Sequence, residues 1–470
     1  MDTKKLRQKI LDLAIRGKLV PQDPNDEPAS VLLERIRAEK EQLIKEGKIK
    51  RSKKSAATDK SHYENMPFEI PESWVWTSIG ELFEHNTGKA LNASNRYGKM
   101  MDYITTSNLY WDRFDLSVVK QMLFTEEELW RCTAKKGDLL ICEGGDIGRA
   151  AIWNYDYDIR IQNHIHRLRG YKGINHRFYY FVFLLYKLSN RIGGKGVAIQ
   201  GLSSGDLHKL EVPLPPEYEQ IRLVKTIEKW FKFVDLLEQE QENLHTLVQS
   251  TKSKILDLAI SGKLVPQDPN DEPAIELLKR INPAFKPCDN SHYENLPENW
   301  CLAKVKDVFV INPRNKAEDN TIAGFIPMTL IDDGYSNTFS YEKREWGSIK
   351  TGFTHFADGD VAVAKISPCL ENRKSIVLRD LPNGIGAGTT ELHVFRSSVV
   401  VPEYALYFFK SEYFISKCVG TFNGVVGQQR VGKNIIEEIQ IPIPPIDEQT
   451  KIVSTIETIF TQLNTITAEL

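Results

Sequence analysis

The chain of 470 residues lacks the features of several protein classes. Its six cysteines form no CxxC pair and no cluster with histidine, which argues against a zinc site and favours free thiols in a reducing cytosol. No run of eighteen apolar residues is present, so we expect no membrane-spanning helix. The start, MDTKKLRQK, lacks the apolar segment of a signal peptide. These absences predict a cytoplasmic protein.

Motifs for common enzymatic chemistry are missing as well. There is no GxxxxGK[ST], HExxH or GxSxG pattern. The pairs Pro215-Pro216 and Pro444-Pro445 follow leucine and isoleucine, so neither is the (D/N)PP(Y/F) motif expected of an amino-methyltransferase. The segment 138–143, DLLICE, resembles a nuclease carboxylate pair only weakly, and we interpret it as a buried strand with polar ends. We expect no catalytic residue, no metal site and no cofactor in this chain.

Proline and glycine are also absent from one long stretch, residues 219–260. Apolar residues recur there on one alternating spacing of three and four, and three polar residues interrupt this stripe. The apolar positions are Val224, Ile227, Phe231, Val234, Leu244, Val248, Ile255 and Leu258, and the interruptions are Glu238, Gln241 and Thr251. This spacing is typical of a helix that packs along a narrow seam against another helix. Such a helix would be on the order of 60 Å long. The alternative, a helix buried inside one globule, is disfavoured by its broad charged faces.

Several segments of the chain occur twice. The repeated pairs are 9–29 with 254–274, 61–67 with 291–297, 71–76 with 297–302, and 212–231 with 441–460. The first pair differs only at Arg16 and Ser261. A repeat of this length predicts two similar domains.

The repeat frame is cyclic. The C-terminal segment carries the seam of the first half of the long helix, and the N-terminal segment carries that of the second half. The two chain ends would therefore rebuild a second arm. We predict an α+β fold: two pseudo-two-fold-related α/β domains separated by two long antiparallel coiled-coil helices, one of them split between the chain termini. The termini should lie close together.

The repeat and the composition predict seven segments along the chain. They are 1–20, an N-terminal helix that completes the second spacer arm; 21–60, a connector and basic linker; 61–215, the first globular domain; 216–262, the central spacer helix; 263–290, a connector; 291–444, the second globular domain; and 445–470, the C-terminal spacer helix. Within the domains we expect strands at 74–83, 101–111, 137–145 and 165–170, and apolar helices at 176–192 and 402–417. The basic run 45–60 is a solvated linker or an arm that touches phosphates.

No acidic residue lies between Asp158 and Asp206, although the chain has 63 acidic and 61 basic residues. This basic interval suits phosphate contact, with amide side chains available for base edges; a solvated basic face is the alternative. Gly-rich loops at 193–201 and 420–432 would let backbone approach a sugar-phosphate chain.

The candidate DNA-binding residues are rich in Asn, Gln, Lys and Arg. In the first domain they are Lys89, Asn92, Asn95, Arg96, Arg149, Arg160, Gln162, Asn163, His164, Arg167, Lys195 and Gln200. In the second domain they are Asn312, Arg314, Asn315, Lys316, Lys365, Arg373, Lys374, Gln428, Gln429 and Arg430.

These motifs together resemble the specificity subunit of type I restriction-modification enzymes. The resemblance rests on the (V/I)P(L/I)PPxxEQ runs at 212–220 and 441–449, on the duplicated KILDLAI-x-GKLVPQDPNDEPA segments, and on GDLLICEGGDIG. The second copy, GDVAVAKISPCLENRK, departs from the last pattern after its strand.

The resemblance implies a non-catalytic subunit whose two globular domains are target-recognition domains, each reading one half of a split double-stranded DNA sequence. The helices would set the distance between the halves and dock two copies of a methyltransferase subunit. Restriction and translocase subunits would join the larger complex. S-adenosylmethionine, ATP and Mg would belong to those partners.

Three other interpretations remain open at this point. The first is a stand-alone DNA-binding regulator built as a covalent pseudo-dimer, which would give a footprint alone. The second is a coiled-coil scaffold without nucleic acid, which would leave the acid-free interval unexplained. The third is a fused restriction enzyme, which the missing catalytic motifs disfavour.

Overall fold

The chain forms two compact units, Met1–Gln239 and Glu240–Leu470. The computed structural model describes residues 2–49, 68–91, 97–192, 202–289, 296–421 and 429–468. Across these residues, none of the helices has the length and apolar character needed to span a membrane.

The first unit combines short strands with helices of very different length. Its helices are α1 Thr3–Ile15, α2 Ala29–Lys45, α3 Ile79–Leu82, α4 Glu126–Cys132, α5 His176–Leu188, α6 Ser204–Lys209 and the start of α7 Glu217–Ile260. Its strands are β1 Val75–Ser78, β2 Phe83–Thr87, β3 Lys99–Ile104, β4 Leu109–Tyr110, β5 Arg113–Phe114, β6 Lys120–Phe124, β7 Thr133–Ala134, β8 Leu139–Cys142, β9 Ala150–Ile152, β10 Ile159–Ile161, β11 Ile165–Gly170 and β12 Glu211–Leu214.

The second unit follows the same plan. Its helices after α7 are α8 Ala274–Ile281, α9 Val305–Val308, α10 Trp346–Ile349, α11 Pro402–Lys410, α12 Glu412–Val419, α13 Lys433–Glu438 and α14 Ile446–Ala468. Its strands are β13 Cys301–Lys304, β14 Val310–Ile311, β15 Ile322–Ile326, β16 Glu342–Glu345, β17 Thr354–Ala357, β18 Val361–Ala364, β19 Ser375–Val377, β20 Ile385–Gly388, β21 Leu392–Arg396 and β22 Gln440–Ile443.

Two four-stranded sheets recur in each unit with the same strand order. In the first unit the orders are β6-β3-β10-β7 and β2-β11-β8-β9. In the second unit they are β16-β15-β20-β17 and β14-β21-β18-β19. The central pairs β3/β10 and β15/β20 are parallel, and the other pairs in these sheets are antiparallel. The repeat therefore encodes two similar mixed helix-and-sheet domains, as the sequence predicts.

The duplicated Glu-Gln pair at the start of each long helix is buried against the domain. Glu219 accepts hydrogen bonds from the Trp74 indole N–H at 2.9 Å and from the Gln22 amide at 2.6 Å. In the second unit, Glu448 accepts from the Trp300 indole N–H at 2.9 Å. Burial raises the pKa of both carboxyl groups, and the indole bond opposes this shift. The glutamate of the PPxxEQ motif therefore ties each helix to its domain.

The glutamine of the same motif has an equally defined role. Gln220 accepts from the Asn175 backbone N–H at 2.9 Å and donates to the Pro215 carbonyl at 3.1 Å. Gln449 accepts from the Val401 backbone N–H at 2.8 Å and donates to the equivalent proline carbonyl at 3.1 Å. These bonds fix the turn before each helix to the apolar helix of the domain core.

Helix α1 packs against the first part of α7 within the first unit. Arg7 donates to Asp235 at 2.6 Å and to Glu238 at 2.9 Å. Its guanidinium also lies 5.1 Å from the centre of the Phe231 ring, which gives a cation–π contact. Arg7 thus connects α1 with this part of α7, and the coiled-coil seam stays a prediction.

Helix α14 takes the corresponding place in the second unit. Lys252 of α7, the repeat counterpart of Arg7, lies 5.4 Å from the centre of the Phe460 ring and donates to Asn464 at 2.6 Å. Tyr335 from the globular domain packs on the same Phe460 ring, with the ring centres 5.5 Å apart. The prediction of adjacent termini concerns the arrangement of the two units and stays a prediction; residues 1, 469 and 470 lie outside the described residues.

Some local predictions are wrong in detail. The stretch 74–83 is not one strand: β1 ends at Ser78, α3 follows, and β2 begins at Phe83 and pairs in a different sheet from β1. The expected strand 101–111 ends at Ile104 in a turn closed by Asn108 N–H and Thr105 carbonyl at 3.0 Å. The expected helix 402–417 breaks at Ser411, whose hydroxyl caps α12.

Candidate nucleic-acid interface

An ion pair between a buried aspartate and a partly exposed arginine holds the same two strands together in each unit. Asp138, just before β8, accepts two hydrogen bonds from Arg169 of β11 at 2.8 and 2.7 Å. Asp360, just before β18, accepts two from Arg396 of β21 at 2.7 and 2.8 Å. Because both aspartates are buried and fully engaged, the GD pattern is structural. This agrees with the interpretation of 138–143 as a buried strand with polar ends.

A buried histidine on β11 and on β21 binds a backbone carbonyl at the end of the Gly-rich loop of its unit. His166 Nε2 lies 2.7 Å from the Leu202 carbonyl, and His393 Nε2 lies 3.3 Å from the Val431 carbonyl. Burial lowers the pKa of both histidines, that of His393 to about 4, so both rings are neutral at pH 7. The exit of each Gly-rich loop is therefore fastened to a core strand.

The turn between β10 and β11 carries several of the predicted polar residues of the first unit. Asn163 N–H donates to the Lys89 carbonyl at 3.0 Å, and Gln162 pairs with Lys89 in a parallel bridge. Gln162 and Asn163 are half-buried and His164 is exposed. His164 Nδ1 lies 3.6 Å from Glu143 Oε2 at the end of β8. The structure thus brings four predicted residues together, although the Lys89 side chain points elsewhere.

Two predicted cations of the first unit bind protein groups instead of facing solvent. The Lys89 ammonium is buried and donates to Glu128 at 2.6 Å. Arg167 has no exposed surface and donates to Glu84 and to the Thr133 carbonyl, each at 2.8 Å. Strand β11 is buried on both faces over residues 165–168. The alternation of polar and apolar residues along a strand therefore could not show that Arg167 is buried. As a correction, we assign both side chains to the fold.

Arg149 and Lys374 occupy equivalent positions and brace equivalent loops. Arg149 donates to the Thr106 carbonyl at 2.7 Å, and Lys374 donates to the Ile331 carbonyl at 2.7 Å. Each therefore supports the loop that follows the central parallel strand. Arg160, by contrast, is half-buried on β10, an inner strand of its sheet, and donates to the backbone carbonyl of residue 158 at 2.7 Å.

The stretch after β14 contains both structural and exposed candidates. Asn312 accepts from a backbone N–H of β21 at 3.0 Å, and Asn315 donates to a backbone carbonyl of β17 at 2.6 Å. Arg314 and Lys316 are exposed. The two asparagines therefore shape this stretch, and the two cations present charge on its outer side.

The second unit has a polar corner at the end of β18. Lys365 N–H donates to the Glu391 carbonyl at 2.9 Å. Arg430, at the exit of the Gly-rich loop, makes two hydrogen bonds of 2.8 Å to the Glu391 carboxylate. The Arg430 bonds keep the pKa of Glu391 below its ordinary value. Gln429, next to Arg430, accepts from the Ser367 backbone N–H at 2.9 Å.

Arg373 binds groups of its own domain. Its guanidinium donates to the Lys410 carbonyl at 3.1 Å and to Glu412 at 2.8 Å, and lies 5.0 Å from the Tyr335 ring centre. As a correction, we assign Arg373 to the packing around the break between α11 and α12. Asn92, Asn95, Arg96, Lys195, Gln200 and Gln428 lie outside the described residues, as do most of the Gly-rich loops and residues 50–60 of the basic run.

Sequence reasoning missed the carboxylates of this surface, because it searched for bases and amides. The signal was available: aligning Asp138 with Asp360 places Glu143 opposite Lys365, and aligning His166 with His393 places His164 opposite Glu391. The cysteines are free thiols. The residues that the structure describes contain no group of three or more His, Cys, Asp or Glu suited to a metal ion.

A protein-family comparison matches most of the chain. Residues 71–246 and 297–470 each match the family described as the type I restriction modification DNA specificity domain. The two matches coincide with the two recognition domains and the long helices that follow them.

Individual relatives agree with this match. The chain is 40% identical over 227 residues to the type I restriction enzyme EcoEI specificity subunit of Escherichia coli, an alignment that covers 44% of this chain and 38% of the relative. It is 40% identical over 225 residues to the EcoAI specificity subunit, with the same coverage. These alignments span less than half of either relative. The MjaVIII specificity subunit of Methanocaldococcus jannaschii is 20% identical, with coverage of 81% and 84%.

Two solved structures share the fold. One belongs to a study of complex assembly and conformational transition in the type I R-M system; its TM-score is 0.54 at 15% identity, and the match covers 86% of this chain and 94% of that chain. The other is the HsdS subunit of Thermoanaerobacter tengcongensis, with a TM-score of 0.50 at 15% identity and coverage of 86% and 93%.

Proposed function

Because this chain belongs to the family of the type I restriction modification DNA specificity domain, we propose that it selects the DNA sequence on which a type I restriction-modification complex acts. Each recognition domain reads one half of a split target. The observation that carries this proposal is the pair of domains with the same strand order but different side chains at equivalent positions. One backbone plan thus presents two different hydrogen-bonding surfaces, as two different half-sites require.

The helices are proposed to set the distance between the half-sites. Helix α7 has 44 residues, which corresponds to about 66 Å. We propose that it pairs with a second, antiparallel arm made of α1 and α14, so that the termini meet. Two recognition domains on one face of a duplex need a spacing near one helical turn, roughly 34–36 Å, or a multiple of it. Helices of this length can hold such a spacing.

The chain is proposed to contribute recognition and no catalysis. Two methyltransferase subunits would dock on the repeated helical segments, and restriction and translocase subunits would complete the complex. S-adenosylmethionine, ATP and Mg would be bound by those partners. The near-identity of 9–29 and 254–274 supports two copies of one partner, because it offers the same surface twice.

Mapping of methylated adenines tests this proposal. We expect cells that carry this gene with its methyltransferase gene to show a bipartite methylation motif, with two defined halves and an unspecified spacer, that disappears when this gene alone is deleted. A motif that is contiguous, or that survives the deletion, would contradict the proposal. A tight, sequence-specific footprint by the purified chain alone would instead favour a stand-alone regulator.

A further inference from the structure

Each recognition domain carries a solvent-accessible pair of a carboxylate and a nitrogen-bearing side chain at the same corner of its fold. The corner lies where the strand after the buried Asp ends, beside the turn into the neighbouring strand. In the first unit the pair is Glu143 with His164, and in the second unit it is Glu391 with Arg430. A role for these pairs in reading DNA rests on the proposed function.

The backbone of this corner is the same in both units. Glu143 N–H donates to the His164 carbonyl at 2.9 Å, and Lys365 N–H donates to the Glu391 carbonyl at 2.9 Å. Two residues along the same strand from the turn, the buried His166 or His393 binds the backbone at the end of the Gly-rich loop, whereas the Asp–Arg pair fastens the opposite end of the two strands. A corner fastened on two sides holds its side chains in place before a ligand binds, which reduces the cost of ordering them.

The side chains on this shared backbone differ in type at both positions. In the first unit the carboxylate of Glu143 follows the strand and the imidazole ring of His164 stands on the turn. In the second unit Lys365 ends the strand and the carboxylate of Glu391 stands on the turn, where Arg430 binds it. The corner therefore varies in hydrogen-bonding pattern while its geometry is kept.

These pairs reach solvent despite their bonds. The side chains of Glu143 and His164 are 31% and 54% exposed, and those of Glu391 and Arg430 are 25% and 45% exposed. A carboxylate repels phosphates, but on a base edge it accepts a hydrogen bond from the amino group of cytosine, and arginine donates to guanine O6 and N7. A carboxylate on a DNA-binding surface is thus suited to bases and unsuited to the backbone.

We propose that these two pairs are base-reading elements: Glu143 with His164 determines a base pair in one half-site, and Glu391 with Arg430 determines a base pair in the other. The carboxylate accepts from an exocyclic amino group in the major groove. The partner side chain, His164 or Arg430, positions the carboxylate and donates to the neighbouring acceptor edge. A surface ion pair that only supports the fold is the competing explanation.

The test uses the complete complex with its methyltransferase and the wild-type motif, once mapped. Four variants are compared: Glu143→Gln, Glu391→Gln, Arg430→Lys, and the double variant Glu143→Gln/Glu391→Gln. For each, methylation rates are measured on duplexes with the motif and with every single-base replacement in either half. Glu72→Gln and Glu298→Gln serve as matched controls, since these exposed glutamates occupy equivalent repeat positions away from the corner.

We expect Glu143→Gln to reduce discrimination at one position of one half-site by roughly 5-fold to 150-fold, the range of a good base contact. Glu391→Gln and Arg430→Lys should relax one position of the other half-site, and the double variant should relax both. The controls should retain wild-type discrimination.

The inference is overturned if the corner variants keep wild-type discrimination at every position, or if they lower methylation of all duplexes equally. Hydrogen exchange of each variant shows whether its domain remains folded, so a folding defect is distinguished from a change in reading. Absence of a bipartite motif for the wild-type complex would instead refute the proposed function.

Discussion

Removal of the buried aspartate in either unit should destabilise that unit and leave the other unchanged. Asp360 is 1% exposed and accepts two bonds from Arg396 and one from the Ala357 backbone N–H at 2.7 Å. Replacement by alanine leaves the arginine charge without its partner, a loss of 3–5 kcal/mol in a fully buried site. Because the Arg396 side chain is 37% exposed, we expect about 3 kcal/mol.

The assay is hydrogen exchange read separately for the peptides of each unit. A loss of about 3 kcal/mol corresponds to roughly 100-fold faster exchange in the most protected strands. Asp360→Ala should accelerate exchange in the second unit only, and Asp138→Ala in the first only. Asp156→Ala and Asp319→Ala break exposed pairs with Lys136 and Lys350, and each should cost at most about 1 kcal/mol. Equal losses for buried and exposed pairs would refute the reasoning.

Three further predictions follow from buried groups. Burial lowers the pKa of His393 from 6.5 to about 4, so the unfolded chain binds its proton first on acidification. The free energy of unfolding of the second unit should therefore fall by on the order of 3 kcal/mol between pH 6.5 and pH 4. Urea titrations at both pH values measure this fall, which should be smaller in the His393→Gln variant. Trp74→Phe should lower the stability of the first unit by about 1–3 kcal/mol, because a buried oxygen of Glu219 loses its hydrogen-bond donor. Hydrogen exchange measures this loss, and unchanged exchange in the first unit would contradict the prediction. Lys252→Met should be neutral within about 1 kcal/mol, because it removes a buried charge at similar volume; a larger loss would show that the Asn464 bond stabilises the arm.

The sequence predicts the doubled mixed architecture, because a long internal repeat must fold twice in the same way. The long helix is visible from its spacing and its lack of proline and glycine. The structure also explains the PPxxEQ runs, whose glutamate and glutamine bind buried groups of the domain. The tryptophans that bind the two glutamates, Trp74 and Trp300, lie 145 and 148 residues away from them in the sequence. Such long-range partners leave no trace in local periodicity.

The candidate interface is predicted less well, because residue type does not reveal direction. Arg167 and His164 lie on one basic segment, yet the first is buried in the sheet and the second stands on a turn. Arg149 and Lys374 have the composition of phosphate contacts but brace loops. Glu143 and Glu391 were passed over as acids, and only the comparison of the two units places them at one corner.

The central claim is that helical arms fix the distance between two recognition domains. Its most direct test inserts seven residues, two helical turns, into α7 after Gln241 and maps methylation in cells that also express the methyltransferase. Seven residues add about 10.5 Å, equal to roughly 3 base pairs at 3.4 Å each. We expect the methylation motif to keep both half-sites and to have a spacer that is longer by about 3 base pairs. A motif with an unaltered spacer would contradict it.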